Sequence, residues 1–222
     1  MIKKLSWDSD FFGYPVGKIL IDKKNKFDSV IPKKKYKLIY VFSKEELAIK
    51  DSLVDKKVIL HKKITNTQVQ VACFEYNSKK HSYKELLELT YLSGKFSRFN
   101  TDINFTNSEF KQLYKLWIDK SVEKKNAFSV IVKLVNNTIA GFMTLQEQDK
   151  STSSIGLIAV AALYQGKNIA SELIKQGEFI AAKKGYTKIQ VATQLDNIPA
   201  MNLYKKNSFN IKEINYIYHL WN

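Results

Sequence analysis

The stretch YQGKNIASELI, residues 164–174, decides how the rest of the chain is read. From its middle onward the apolar positions Ile169, Ala170, Leu173, Ile174, Gly177 and Ile180 recur at steps of three and four, which marks one buried helix face. Gly166, Lys167 and Asn168 therefore sit at a helix start, where unpaired backbone N–H groups and the positive end of the helix dipole gather. A phosphate or pyrophosphate suits such a place. A P-loop is excluded: the earlier glycine of G-x-x-x-x-G-K is missing, and Asn168 stands where a magnesium-binding Ser or Thr would be.

Working outward, the helix runs to Lys184 and stops at Gly185, and the strand run SIGLIAV leads into it. Before that strand lies a hairpin, FSVIVKLV and TIAGFMTLQE, joined at Asn136-Asn137, a pair that supplies the positive φ angles of a tight turn. A helix over 107–125 precedes it, with Phe110, Leu113, Tyr114, Trp117, Ile118 and Val122 on one face and Thr106 or Asn107 as its cap. Downstream come the strand TKIQVAT, a short helix over 198–206 and two final strands around Phe209 and Tyr216. The order is α-β-β-β-α-β-α-β. Residues 1 to about 90 alternate short apolar runs (FFGYPVGKILI, KLIYVF, VDKKVILHKK, VQVACFEY) with charged helical stretches, and the helix SYKELLELTYL closes this part. In it WDSDFFGYPVG reads as a turn-rich loop. The expected organisation is an α/β chain: a smaller N-terminal lobe over 1–95 and a second domain over 96–222 with a central mixed sheet flanked by helices.

Composition bounds the function. The 222 residues suffice for one large or two small domains, and no repeat or low-complexity linker interrupts them. A net charge of +15 raises nucleic-acid binding, but the lysines are scattered and Arg98 is the single arginine among 36 basic residues, so a solvated surface is the expected reading. One cysteine, Cys73, gives no disulfide framework and no zinc spacing, and is expected to be a small buried thiol in a reducing compartment. The N-terminus has no signal-like apolar run and no segment is long enough to span a bilayer, so a cytoplasmic protein without membrane partners is expected. His61, His81 and His219 are dispersed, no metal is expected, and no G-x-S-x-G occurs. Glu147 reads as a solvated carboxylate, and no general base is named.

Two motifs carry a resemblance. Gln165-Gly166-Lys167-Asn168-Ile169-Ala170 resembles the Q/R-x-x-G-x-G/A loop of the GNAT N-acetyltransferases, with Asn168 in place of a glycine. Asparagine tolerates left-handed backbone, so the loop survives the exchange. Residues 197–209, NIPAMNLYKKNSF, resemble the family's N-x-x-A-x-x-L-Y-x-x-x-G-F, with Asn207 in place of the glycine at a helix end. Here Asn197 caps the helix, and Ala200 and Tyr204 fall on the same face as Asn197. The resemblance implies a GNAT fold, acetyl-CoA as cosubstrate with its pyrophosphate on 165–170, a gap at Ala200 for coenzyme A, and Tyr204 as the acid that protonates the departing thiolate. It further implies that SIGLIAV lies along the pantetheine arm, with an amide among Ile158, Ala159 and Val160 for the thioester oxygen.

A narrower resemblance covers the whole chain. WDSDFFGYPVGKI, SRFNTD, SIGLIAV and KIQVATQLDNIPAMNLYKKNSF are similar to members that acetylate a nucleotide-linked aminodideoxysugar of the dTDP-4-amino-4,6-dideoxygalactose type for surface polysaccharides. That implies a nucleotide-sugar acceptor and a homodimer. Another amine acceptor, such as a peptide N-terminus or an antibiotic, and a coenzyme A-binding module without turnover remain the alternatives. A guanidinium bonds a diphosphate through two donors at once, which singles out Arg98, between Phe96 and Phe99, as the candidate for the acceptor's diphosphate.

Overall fold

The computed structural model describes residues 2–21, 35–49, 52–65 and 71–222. They form two compact units, one of residues 1–58, 194–196 and 213–222, the other of 59–193 and 197–212. Residues 95 and 96, where the sequence suggests dividing the chain, both lie in the second unit.

The first unit holds β1 (Lys3–Lys4), α1 (Ser6–Phe12), β2 (Val16–Ile21) and β3 (Leu38–Ser43). It also takes parts of β4 (Leu53–Lys63) and of the last strand, Asn210–Trp221. β2 lies antiparallel to β1 and parallel to β3, and β3 pairs antiparallel with Tyr216–Trp221. Ile19, Ile39, Val41, Leu47 and Tyr218 form its core. WDSDFFGYPVG is not the expected loop: Ser6–Phe12 is helical. The Ser9 hydroxyl donates to the Leu5 carbonyl (2.7 Å) and accepts the Val16 amide (2.9 Å), Trp7 stacks on Phe11, and Gly13, at φ 77°, ends the helix. The charged stretch 22–34 lies outside the described residues, as does the start of VQVACFEY, whose strand β5 is only Cys73–Glu75.

The second unit is a mixed sheet with helices on both faces. Its further elements are α2 (Tyr83–Ser93), α3 (Arg98–Thr101), α4 (Asn107–Val122), β6 (Ser129–Val135), β7 (Thr138–Glu147), β8 (Thr152–Val160), α5 (Ile169–Lys183), β9 (Lys188–Gln194), α6 (Ile198–Lys206) and the first residues of β10 (Asn210–Trp221). The strands run in the order β5-β6-β7-β8-β9, antiparallel except for the parallel β8–β9 pair. Leu86, Leu89 and Ile118 pack on Val130, Val132 and Phe142, which seats α2 and α4 on one face. On the other face α5 comes so close that a Cβ at Gly141 would lie 3.1 Å from Ile169 and 3.2 Å from Leu173. Emptying this core at Phe142, which is fully buried, costs about 3–5 kcal/mol for Phe→Ala.

Local expectations are met at several joints. Thr106 caps α4 in a reciprocal pair with Glu109, Asn136 and Asn137 take φ 51° and 62°, and Gly185 sits at φ 88° just past α5. Helix α4 ends three residues early, at Val122, because Lys124 turns left-handed and Lys125 and Asn126 both fold back on the Lys120 carbonyl. The two final strands are one, β10, since no Gly or Pro interrupts 210–221. Cys73 is half-buried rather than buried. Desolvation pushes its thiol up to about 11, with Lys133 opposing and Glu172 assisting.

Candidate active site

Strands β8 and β9 part company inside the sheet. Their ladder runs from Thr152–Lys188 to Ile155–Val191 and stops there. On its other side β8 slips by one residue against β7: Leu145 faces Ile155 and Met143 faces Ile158, so Gly156 and Leu157 together oppose Thr144. The extra residue is held by a side chain, for the Leu157 amide donates to Thr144 Oγ1 at 2.8 Å. Such a bulge bends its strand and sharpens the twist, which carries β8 away from β9.

The slip also fixes which amides face the opening. The Ala161 amide donates to the Ala140 carbonyl (2.9 Å), and two residues back Phe142 and Ala159 form the next bonded pair of the antiparallel ladder. Ala159 thus spends its backbone on β7, and its side chain joins the Phe142 core. Ile158 and Val160 alternate with it, so their N–H groups point to the edge that β9 has left. Of the three amides expected for the thioester oxygen, Ile158 and Val160 face that edge and Ala159 does not.

At the end of β8 the chain makes a 3-10 turn, Ala162–Tyr164, and enters the loop before α5. Gln165 turns back, its Nε2 donating to the Val160 carbonyl at 3.0 Å, which ties the loop to the strand. Gly166 takes φ 76° with nothing within 4 Å of a would-be Cβ. Lys167 lays its ammonium 5.5 Å from the Tyr164 ring. Asn168 holds φ 65°, ψ 3°, the left-handed backbone a glycine would supply, and its side chain caps nothing. The first bond within α5 is from the Glu172 amide to the Asn168 carbonyl (3.1 Å), so the amides of Ile169, Ala170 and Ser171 have no acceptor inside the helix. An uncapped helix start beside an open strand edge fits a ligand with an anionic end and an amide-bearing arm.

The end of helix α6 lies against the start of α5. Asn197 Oδ1 accepts the Ala200 amide (3.2 Å), which is the expected cap, and Ala200 is half-buried. Tyr204 is 2% exposed, packs on Phe209 at 5.5 Å between ring centroids, and its hydroxyl has no hydrogen-bond partner among the described residues. Burial alone raises its pKa far above 10, so the phenol keeps its proton. Asn207 departs from the expectation for a helix end: at φ −92° it is not left-handed, and Ser208, at φ 64°, makes the turn one residue later. Asn207 instead bonds across, Nδ2 donating to Ser171 Oγ (3.1 Å), while Lys206 Nζ reaches Asn168 Oδ1 (3.3 Å).

Sequence reasoning missed a third tie. Lys62 Nζ donates to Glu178 Oε1 (2.8 Å) and to the Asn207 carbonyl (3.0 Å), and lies 5.5 Å from the Phe209 ring. The Glu178 side chain is 2% exposed, so removing one partner strands a buried charge at a cost of about 3–5 kcal/mol. A lone carboxylate on the apolar face of α5 was the available signal. Arg98 opens α3, half-buried, with its guanidinium 4.6 Å from the Phe99 ring. Phe99 packs on Phe105 and Trp117, whereas Phe96 is exposed. Glu147 is exposed and accepts the Tyr186 hydroxyl at 3.1 Å. Among the described residues no group of His, Cys, Asp and Glu could hold a metal, and no helix is long and apolar enough to cross a membrane.

Comparison with known proteins gives the same outline. The chain is 25% identical over 140 residues to the spore coat polysaccharide biosynthesis protein SpsD of Bacillus subtilis, covering 61% of this chain and 46% of that one. It is 27% identical over 108 residues to the dTDP-fucosamine acetyltransferase of Escherichia coli, covering 47% and 45%. It thus spans less than half the length of these curated relatives. The crystal structure of a putative GNAT acetyltransferase from Novosphingobium aromaticivorans superposes with a TM-score of 0.54 at 10% identity, covering 82% of this chain and 73% of that one. The model of the acetyltransferase (GNAT) family matches residues 95–209, more than half of the sequence, with the open strand edge, the loop before α5 and Tyr204 all inside it, and the chain belongs to that family of acetyl-CoA-dependent acetyltransferases.

Proposed function

We propose that the protein transfers an acetyl group from acetyl-CoA to the amine of a nucleotide-linked aminodideoxysugar, of the dTDP-4-amino-4,6-dideoxygalactose type, for surface-polysaccharide synthesis. The observation that carries the chemistry is the open edge of β8 ending at an uncapped helix start. The names of the two relatives support the sugar acceptor. Acetyl-CoA supplies the activated acetyl thioester. Backbone amides over Gln165, Gly166, Lys167, Asn168, Ile169 and Ala170 hold its pyrophosphate, with Gln165 shaping the loop. The Ile158 and Val160 amides bind the pantetheine arm and the thioester oxygen. Tyr204, kept protonated by burial, gives its proton to the departing sulfur as the C–S bond breaks; the amine nitrogen loses a proton to water as the amide forms, and water returns one to the phenol, with Asn197 and Ala200 lining the way. Arg98 takes the acceptor's diphosphate. The acetyltransferase domain is assigned 96–222, after an N-terminal lobe of 1–95, and the family match at 95–209 supports that start. A cytoplasmic location, expected from the hydropathy of the sequence, and a homodimer, implied by the resemblance alone, belong to the same proposal.

The test is a screen for acetyl transfer and free-thiol release over dTDP- and UDP-linked 3-amino and 4-amino sugars, beside free amines and peptides. Turnover confined to sugar nucleotides is expected. Turnover confined to peptides or antibiotics would refute the acceptor and keep the chemistry, and tight acetyl-CoA binding without any turnover would leave a binding module.

A further inference from the structure

Beside the bulge, one face of the sheet carries a row of neutral polar side chains. Gln146 on β7 is directly opposite Ser154 on β8, and Ser154 is directly opposite Gln190 on β9. Cross-strand partners share a face, so the three side chains stand side by side. Ser154 is 6% exposed and Gln190 9%, yet none of the three side chains has a hydrogen-bond partner among the described residues. Their oxygen and nitrogen atoms are not themselves sealed from solvent, so they stand open to an incoming group. The next position along the face is Gly156, which is exposed; a Cβ there would lie 3.3 Å from the Gln146 carboxamide. Ala192, just past the last β9 partner, is exposed and small as well. The exposed Gly156 and Ala192, with little or no side chain, thus lie beside unspent amides and a hydroxyl on the same face.

We infer that Gln146, Ser154 and Gln190 form a subsite for the hydroxyl groups of a saccharide acceptor. The inference deepens the sugar-acceptor reading and rests on it. Each of the three groups both donates and accepts, as a sugar hydroxyl does, and none carries charge. A row of this kind matches a neutral polyhydroxylated ring, whereas a carboxylate or ammonium would require a counter-charge that the row does not offer. Its place is also right. Gly156 precedes Ile158 by two residues, about 7 Å along a strand, so a ring over Gly156 brings its amine to the edge where the Ile158 amide points.

The experiment compares dTDP-4-amino-4,6-dideoxygalactose with cyclohexylamine, a ring amine without hydroxyls, in the wild type, Gln190→Leu and Gln146→Leu. The ratio of kcat/KM for the sugar to that for cyclohexylamine is expected to fall at least tenfold in each variant. The acetyl-CoA Kd, by calorimetry, stays within twofold. The melting temperature does not fall, because leucine replaces an amide that has no partner in the protein. An unchanged ratio with an active wild type overturns the subsite and leaves the sugar reading standing. A wild type that acetylates cyclohexylamine but no sugar nucleotide overturns both. Should Gln190→Leu not fold, Gln146, only half-buried, carries the same comparison.

Discussion

Asn168→Asp separates the conformational role of the loop from its electrostatic one. Aspartate tolerates φ 65° about as well as asparagine and has the same shape, so the backbone at the start of α5 is kept. For the free protein the new charge is favourable, since a carboxylate in the first turn of a helix contributes about 0.3–1 kcal/mol. For a bound pyrophosphate it is repulsive. Two like charges about 4 Å apart cost about 1 kcal/mol in water and about 4 kcal/mol near a protein surface. Asn168 is exposed and Lys206 Nζ sits 3.3 Å from its Oδ1, which places the penalty towards the lower end, about 1–2 kcal/mol. The variant should therefore unfold at equal or higher urea concentration while binding acetyl-CoA roughly five- to thirtyfold more weakly, with the loss shrinking as salt is raised. Calorimetry at low and high salt beside urea unfolding gives both numbers. Undiminished acetyl-CoA affinity in the folded variant would refute the placing of the pyrophosphate at this helix start.

Tyr204→Phe should lower kcat by tenfold or more with acetyl-CoA affinity nearly intact, because only the departing sulfur uses the proton; full turnover with chemistry rate-limiting would remove the tyrosine from the mechanism. Burial raises the Tyr204 pKa above its ordinary 10.0, so the folded protein holds a proton that the unfolded chain gives up. That contribution is complete below pH 10 and is lost as pH rises beyond it, and the Phe variant should show a shallower alkaline fall in a urea-unfolding series. Thr144→Val deletes the hydroxyl that takes the Leu157 amide and should lower kcat more than it changes the acetyl-CoA Kd, with Thr144→Ser restoring it; wild-type kcat in the valine variant would show that the bulge needs no pin. Arg98→Lys should raise the KM for the sugar nucleotide, leave acetyl-CoA binding alone and cost little thermal stability. Early melting with an unchanged acceptor KM would make Arg98 structural.

The elements around α5 were legible because each carries a local rule: a three-and-four apolar repeat, an Asn-Asn turn, a Thr cap with Glu three residues on. Asn168 was legible for the same reason, since its backbone demand is local. Asn207 was not. Its amide found Ser171, 36 residues away in sequence, and the turn moved to Ser208. The helix in WDSDFFGYPVG was hidden by composition, for Asp, Ser and Gly favour turns; what makes it helical is Ser9 spanning from Leu5 to Val16. The parting of β8 from β9 depends on a side chain of a third strand, and its trace in the sequence is Gly156 inside the apolar run Ile155–Val160. The row of Gln146, Ser154 and Gln190 is set wholly by register, which no single strand reveals.

The ties between α5 and α6 have a mechanical consequence. Asn207 to Ser171 and Lys206 to Asn168 join the beginning of α5 to the end of α6, and Lys62 links Glu178, farther along α5, to the Asn207 carbonyl. Four bonds spread over three positions remove the freedom of one helix to slide or roll on its neighbour. The loop before α5 and the hydroxyl of Tyr204 then keep a fixed spacing, like two jaws cut from one block, and whatever seats itself in the loop is gauged against the tyrosine as it arrives.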